Sequence, residues 1–189
     1  MAGEPVISIR TAVPSDASSI AAIYGPYVAG TTVSFEVESP TAEEMAERIR
    51  GTTATYPWLV AENEKQVVGF VYAGPNRARA AYRWSVDVSV YVRPAAQRQG
   101  IGWRLYQALF EILREQGIVN AYAGVTLPNA ASVGLHEAMG FKPVGVFRNV
   151  GYKLGSWHDV GWWQLELQPP LGSPAEPIPF PLVTLTGGL

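Results

Sequence analysis

The chain contains no cysteine and only two histidines, His136 and His158, so thiolate nucleophiles, disulfides, paired-cysteine redox centres and cysteine-based zinc sites are excluded. A histidine-rich metal site is nearly excluded as well. Charge is also scarce, 16% of residues against roughly 25% in soluble domains, and the formal net charge of −2 gives no electrostatic footprint for nucleic acid or an anionic membrane. No segment approaches 18 unbroken apolar residues, and Met1-Ala2-Gly3-Glu4-Pro5 has neither a basic nor an apolar leader region. A cytoplasmic protein is expected. Any acid-base chemistry must use carboxylates, hydroxyls, one of two imidazoles or the backbone.

What is present suits one domain with a sizeable core: 189 residues, 48% of them hydrophobic, with six Trp and nine Tyr. Residues 6–10 alternate as a strand does. Pro14-Ser15-Asp16 opens a stretch with Ile20, Ile23 and Tyr24 at helical spacing. Thr41-Ala42-Glu43-Glu44 fits a capping box for a helix running to about Gly51. Strands are expected at 58–62 and 66–73, then an exposed loop with Arg77 and Arg79, then a long strand at 84–92. On that strand Val86, Val88 and Val90 face one way, and Asp87, Ser89 and Tyr91 the other. Ile101, Leu105, Leu109 and Ile112 form one helical stripe; a strand at 120–127, a helix at 130–139 and closing strands at 141–150 and 162–167 follow. Residues 169–189 hold six of the fifteen prolines and no positive charge, and read as an extended or disordered tail after a domain spanning 1–168.

The strongest local signal is Gln97-Arg98-Gln99-Gly100-Ile101-Gly102 between a strand and a helix. Such a turn aims backbone N–H groups at the positive end of a helix, where a phosphate binds. Two glycines also serve simply to ease a strand into a helix. The third glycine and downstream acid of a dinucleotide fingerprint are absent, as is the GxxxxGK[ST] of a nucleotide-triphosphate loop.

Taken in order, Val90-Tyr91-Val92, Gln97-x-x-Gly100-x-Gly102, Leu127-Pro128-Asn129 and His136-Glu137-Ala138-Met139-Gly140-Phe141 resemble the pattern of the GNAT N-acetyltransferase superfamily. Ser34-Phe35-Glu36, Ala73-Gly74-Pro75, Tyr82-Arg83-Trp84-Ser85-Val86-Asp87 and Gly151-Tyr152-Lys153-x-Gly155-x-Trp157-His158-Asp159 resemble its phosphinothricin and methionine sulfoximine acetyltransferase branch. The resemblance implies an α/β (α+β) fold with a mixed, mostly antiparallel sheet, splayed at the cofactor site and flanked by helices. It implies acetyl-CoA as co-substrate, no metal, a small amino-acid-like acceptor, direct attack in a ternary complex and a homodimer, with no nucleic-acid or membrane partner.

The implied residues follow position by position. Val90, Tyr91 and Val92 would pair with the pantetheine arm as an added strand does. Arg98, Gln99, Gly100, Ile101, Gly102 and Trp103 would hold the pyrophosphate, and Asn129 would meet the cofactor at the end of a neighbouring strand. Asp87, where the branch usually has Glu, would take the substrate proton, directly or through a water. His136 would protonate the departing thiolate; the plainer reading is a packed core histidine. Phe35 and Tyr82 would wall an acceptor slot, and Arg77 and Arg79 would grip its acidic group, unless they simply solvate a loop. His158 reads as an anchor of the closing strand. The rival readings are a GNAT enzyme for another amine (polyamine, antibiotic or protein N-terminus) and a non-catalytic acyl-CoA-binding domain.

Overall fold

The computed structural model describes residues 7–184. Val6, at the start of the first expected strand, the leader segment and residues 185–189 of the tail lie outside the described residues. Strands β1 (Ile7–Thr11), β2 (Trp58–Asn63), β3 (Gln66–Pro75), β4 (Ser85–Val92), β5 (Asn120–Leu127), β6 (Lys142–Lys153) and β7 (Ser156–Glu166) form one sheet in the order β1-β2-β3-β4-β5-β7-β6. Every neighbouring pair is antiparallel except β4 with β5, which run parallel. That is the mixed, mostly antiparallel sheet the resemblance implies.

Two helices cover each face of the sheet. On one face lie α1 (Ala17–Gly30) and α2 (Ala42–Thr53), burying Ile20, Ile23, Met45 and Ile49 against Trp58, Val60 and Phe70. The capping box forms as expected: Glu44 N–H donates to Thr41 Oγ1 at 3.1 Å and Thr41 N–H to Glu44 Oε2 at 2.8 Å. On the other face α3 (Ile101–Glu115) lays Leu105, Leu109 and Ile112, all fully buried, over Val71, Val86 and Ala121, with α4 (Ala130–Ala138) beside it. Strands β2 and β3 are thus covered on both faces, which is why their sequences are continuously apolar rather than alternating. On β4, Val86, Val88 and Val90 pack with the α3 core while Tyr91 packs with the α1/α2 core.

Two expectations change. The closing strands are longer than residues 141–150 and 162–167: β6 and β7 make a hairpin that includes 151–161, turning at Leu154 (φ 50°) and Gly155 (φ 80°). Two positive φ values at the turn match the twist of the strands it joins. Strand β6 forms the sheet edge and is exposed at nearly every position, so its sequence carries no alternation. The described part of the tail is extended and tied down. Trp84 Nε1 donates to Ala175 O at 2.8 Å, Gln116 Nε2 to Ile178 O at 2.7 Å and Phe180 N–H to Thr55 O at 3.0 Å.

Candidate active site

The parallel pairing of β4 with β5 covers three residue pairs, Ser85 with Asn120, Val86 with Ala121 and Asp87 with Tyr122, and then stops although the strands run on to Val92 and Leu127. The strands stop pairing there, and a cleft of about 520 Å³, which Asp87 itself does not line, lies along the outer end of β4 against the starts of α3 and α4. Among the described residues no strand pairs with that edge of β4 beyond Asp87, so an extended polar ligand can take the missing strand's place.

The glycine turn closes one end of the cleft. Arg98 (φ 61°) and Gly100 (φ 75°) both adopt the left-handed conformation, and Gly100 caps α3 with no side-chain hydrogen bond. Arg104 N–H is the first in α3 to find a helical partner, Gly100 O at 3.0 Å. The N–H groups of Ile101, Gly102 and Trp103 therefore stand at the positive helix end with no acidic residue in the first turn. Gly102 lies at a close approach: a Cβ there would meet Leu135 Cδ2 at 3.3 Å and the Val90 and Val92 side chains at 3.9 Å.

Val90, Tyr91, Val92, Arg98, Gly100, Ile101, Gly102, Trp103 and Asn129 all line this cleft; Gln99 lies in the same turn but outside the lining. Asn129 Oδ1 is occupied in capping α4, accepting from Ser132 N–H at 3.1 Å. The lining also includes Tyr27, Val33, Ser132 and Leu135, which sequence reasoning missed because they come from other elements and carry no motif of their own.

Asp87 stands at the vertex where the strands part, on the face of β4 opposite Val90. Asn76 Nδ2 donates to its Oδ1 at 2.6 Å. Burial pushes the Asp87 carboxyl above the usual aspartate range, while the Asn76 hydrogen bond and the Arg77 charge pull it back. A carboxylate with a raised pKa is a better proton acceptor. On the same face Tyr24 O–H donates to Glu36 Oε1 at 2.8 Å and contacts Ser34 Oγ at 2.7 Å, and Arg48 grips Glu36 with two bonds of 2.7 and 2.9 Å. Only the Ser34-Phe35-Glu36 motif hinted at this network.

His136 is buried. Expected as the acid for the departing thiolate, it is 4% exposed, does not line the cleft, and has both ring nitrogens engaged: Nε2 with Tyr106 Oη at 2.9 Å and Nδ1 with Ser132 O at 2.8 Å. Burial lowers its pKa, and the Ser132 carbonyl only partly offsets this, so the ring is neutral and packed between Tyr106 and Phe141. The expected acceptor residues fall into two places. Phe35 lies against Gly151 and 6.4 Å from the His158 ring, whereas Arg77, Arg79 and Tyr82 are exposed in the 76–84 loop. No hydrogen bond, ion pair or ring contact among the described residues joins Tyr82 to Phe35. Asn76 does tie the start of the arginine loop to Asp87.

The acetyltransferase (GNAT) domain family profile matches residues 9–162. A phosphinothricin N-acetyltransferase of Streptomyces viridochromogenes is 41% identical over 172 residues, covering 91% of this chain and 93% of that protein. An L-methionine sulfoximine/L-methionine sulfone acetyltransferase of Pseudomonas aeruginosa is 38% identical over 170 residues, 88% of this chain and 98% of that one. Among solved structures, a GNAT superfamily phosphinothricin acetyltransferase from Sinorhizobium meliloti in complex with acetyl-CoA superposes with a TM-score of 0.83 at 32% identity, over 89% of this chain and 95% of that one.

Proposed function

The chain belongs to the GNAT family and is an acetyl-CoA-dependent N-acetyltransferase, and from that premise we propose that its acceptor is a small amino-acid-like amine of the phosphinothricin, methionine sulfoximine or methionine sulfone type. The observation that carries this reading is the end of β4–β5 pairing at Asp87, which opens the strand edge toward the bare N-terminus of α3 and puts a carboxylate at the vertex. Acetyl-CoA supplies the acyl group as a thioester. The β4 edge from Val90 to Val92 holds its amide-bearing arm, and the N–H groups of Ile101 to Trp103 hold its pyrophosphate. Asp87, directly or through one water, takes the proton of the acceptor ammonium so that the amine can attack. With no cysteine in the chain, transfer is direct, in a ternary complex, rather than through an acyl-cysteine. His136 is assigned to the packing of α4, and the thiolate leaves without it.

Arg77, which donates to Asn76 O at 3.1 Å and whose charge acts on Asp87, and Arg79, exposed in the same loop, favour an acceptor carrying an acidic group. A thiol-release assay across phosphinothricin, methionine sulfoximine, methionine sulfone, ordinary amino acids and a polyamine tests this. Turnover is expected with the first group, and replacing Arg77 and Arg79 together with Gln should raise acceptor KM far more than KM for acetyl-CoA. Release with the polyamine alone would overturn the assignment.

The β6–β7 hairpin exposes Val144, Phe147 and Tyr152 on the edge strand β6, Leu154 in its turn, and Trp157, at 61%, on β7. An apolar edge of this length is an aggregation hazard unless covered. A second copy of the chain is the proposed cover, giving a homodimer in the cytoplasm where acetyl-CoA is drawn upon. Sedimentation velocity should show a dimer that the Phe147→Glu, Trp157→Glu double variant converts to monomer; a monomeric wild type at micromolar concentration would refute it.

A further inference from the structure

The β6–β7 hairpin carries the Gly151-Tyr152-Lys153 and Trp157-His158-Asp159 segments, and the acetyl-transfer chemistry uses none of them. Lys153, the last residue of β6, is 7% exposed. Its Nζ donates to the carbonyl oxygens of Val28 and Ser34, each at 2.6 Å. An ammonium buried this far destabilises the fold unless it is well paired. The two carbonyls belong to the last turn of α1 and to the loop that leads on to α2, with the charge of Glu36 nearby.

Two further sets of contacts converge on the same loop. A Cβ on Gly151 would overlap the Phe35 ring, so the ring rests against bare backbone. Tyr24 and Arg48 fix Ser34 and Glu36 on either side of Phe35. The hairpin itself is bulged: its register shifts between Phe147 and Gly151, Asn149 takes φ 48°, and the Asp159 carboxylate accepts from Asn149 N–H at 2.8 Å and from Arg148 at 2.6 Å. A bulge bends and re-aims the strand it interrupts.

We propose that Lys153 is a positioning residue that locks residues 31–36 against the hairpin tip, so that Phe35 is held for the acceptor by a cation that never touches it. The inference rests on the acceptor reading above, with Phe35 as the acceptor-slot wall that the family resemblance implies. It gives the Gly-Tyr-Lys segment a physical role: glycine admits the Phe35 ring and lysine ties down the backbone beside it.

Two readouts test the lock: steady-state kinetics with both substrates, and amide hydrogen exchange of the full-length unliganded protein. In Lys153→Met the acceptor KM should rise about tenfold, the scale of losing charge-assisted bonds, with kcat and acetyl-CoA KM held within about twofold. Amides of residues 31–36 should exchange faster while α3 stays protected. Lys153→Arg, which keeps the cation, should recover part of both losses, and Gly151→Ala should raise acceptor KM by displacing Phe35. Unchanged exchange at 31–36, or equal rises in both KM values, overturns the proposal. A wild type that releases no thiol with any amino-acid-like acceptor defeats the acceptor reading instead, and the exchange measurement still decides whether Lys153 locks the loop.

Discussion

Asp87→Asn is expected to lower kcat by roughly 10²–10⁴-fold, the range of a lost general base, while leaving KM for acetyl-CoA within about twofold. The substitution is close to isosteric, and an Asn carbonyl can still accept the 2.6 Å bond from Asn76, so the vertex where β4 and β5 part keeps its shape. What disappears is the charge that receives the proton. Because burial raises the Asp87 pKa, the acid limb of kcat/KM should lie above the ordinary aspartate range in the wild type. The Asn76 bond favours the ionised form, so its removal in Asn76→Ala should move that limb to still higher pH. Turnover by Asp87→Asn equal to the wild type would remove Asp87 from the mechanism.

The second large effect concerns the cofactor side. Gly102→Val is expected to raise KM for acetyl-CoA by about 10²-fold, the cost of misplacing a reactant by roughly an ångström. A Cβ at 102 already meets Leu135 at 3.3 Å, and two further methyls would reach toward Val90 and Val92 across the floor of the cleft. Overpacking of this kind costs about 1–3 kcal/mol, so the variant should remain folded. Thermal melting separates occlusion from unfolding. Coenzyme A at about 100 times its Kd stabilises a binding-competent fold by about 2.7 kcal/mol, a rise of roughly 5–10 °C in Tm for a chain of this size. The wild type should show that rise and Gly102→Val should lose most of it. A full ligand-induced rise in the variant would mean that the glycine serves only the strand-to-helix turn.

Both predictions concern positions legible in the sequence, because their physical roles are local. A glycine that must take φ 75° before a helix, as Gly100 does, announces itself by residue type. A lone carboxylate on the alternate face of a valine-rich strand, as at Asp87, announces itself by period. The β6–β7 hairpin was less legible, since a strand exposed along nearly its whole length has no buried face to impose alternation. Lys153 was visible as part of a segment, but nothing in its neighbours discloses that its partners are the carbonyls of Val28 and Ser34, more than a hundred positions away.

His136 marks the boundary between the two kinds of information. Its spacing from Asn129 fits an acid poised at the cleft, and spacing along a helix fixes which residues share a face. It does not fix which way that face turns. Docking of α4 against α3 points the imidazole at Tyr106 and Phe141 and leaves Ser132 and Leu135 to line the cleft. The sequence by itself determined the chemistry the chain has to work with, the glycine turn and the strand that carries Asp87, because each rests on residue type or short-range period, and it carried the motifs in which the family resemblance lies. Only the tertiary structure decided where β4 and β5 part, which imidazole is buried and what holds Phe35. Each of these depends on packing between elements distant in the chain, where the free energy of burying one face against another outweighs any local preference.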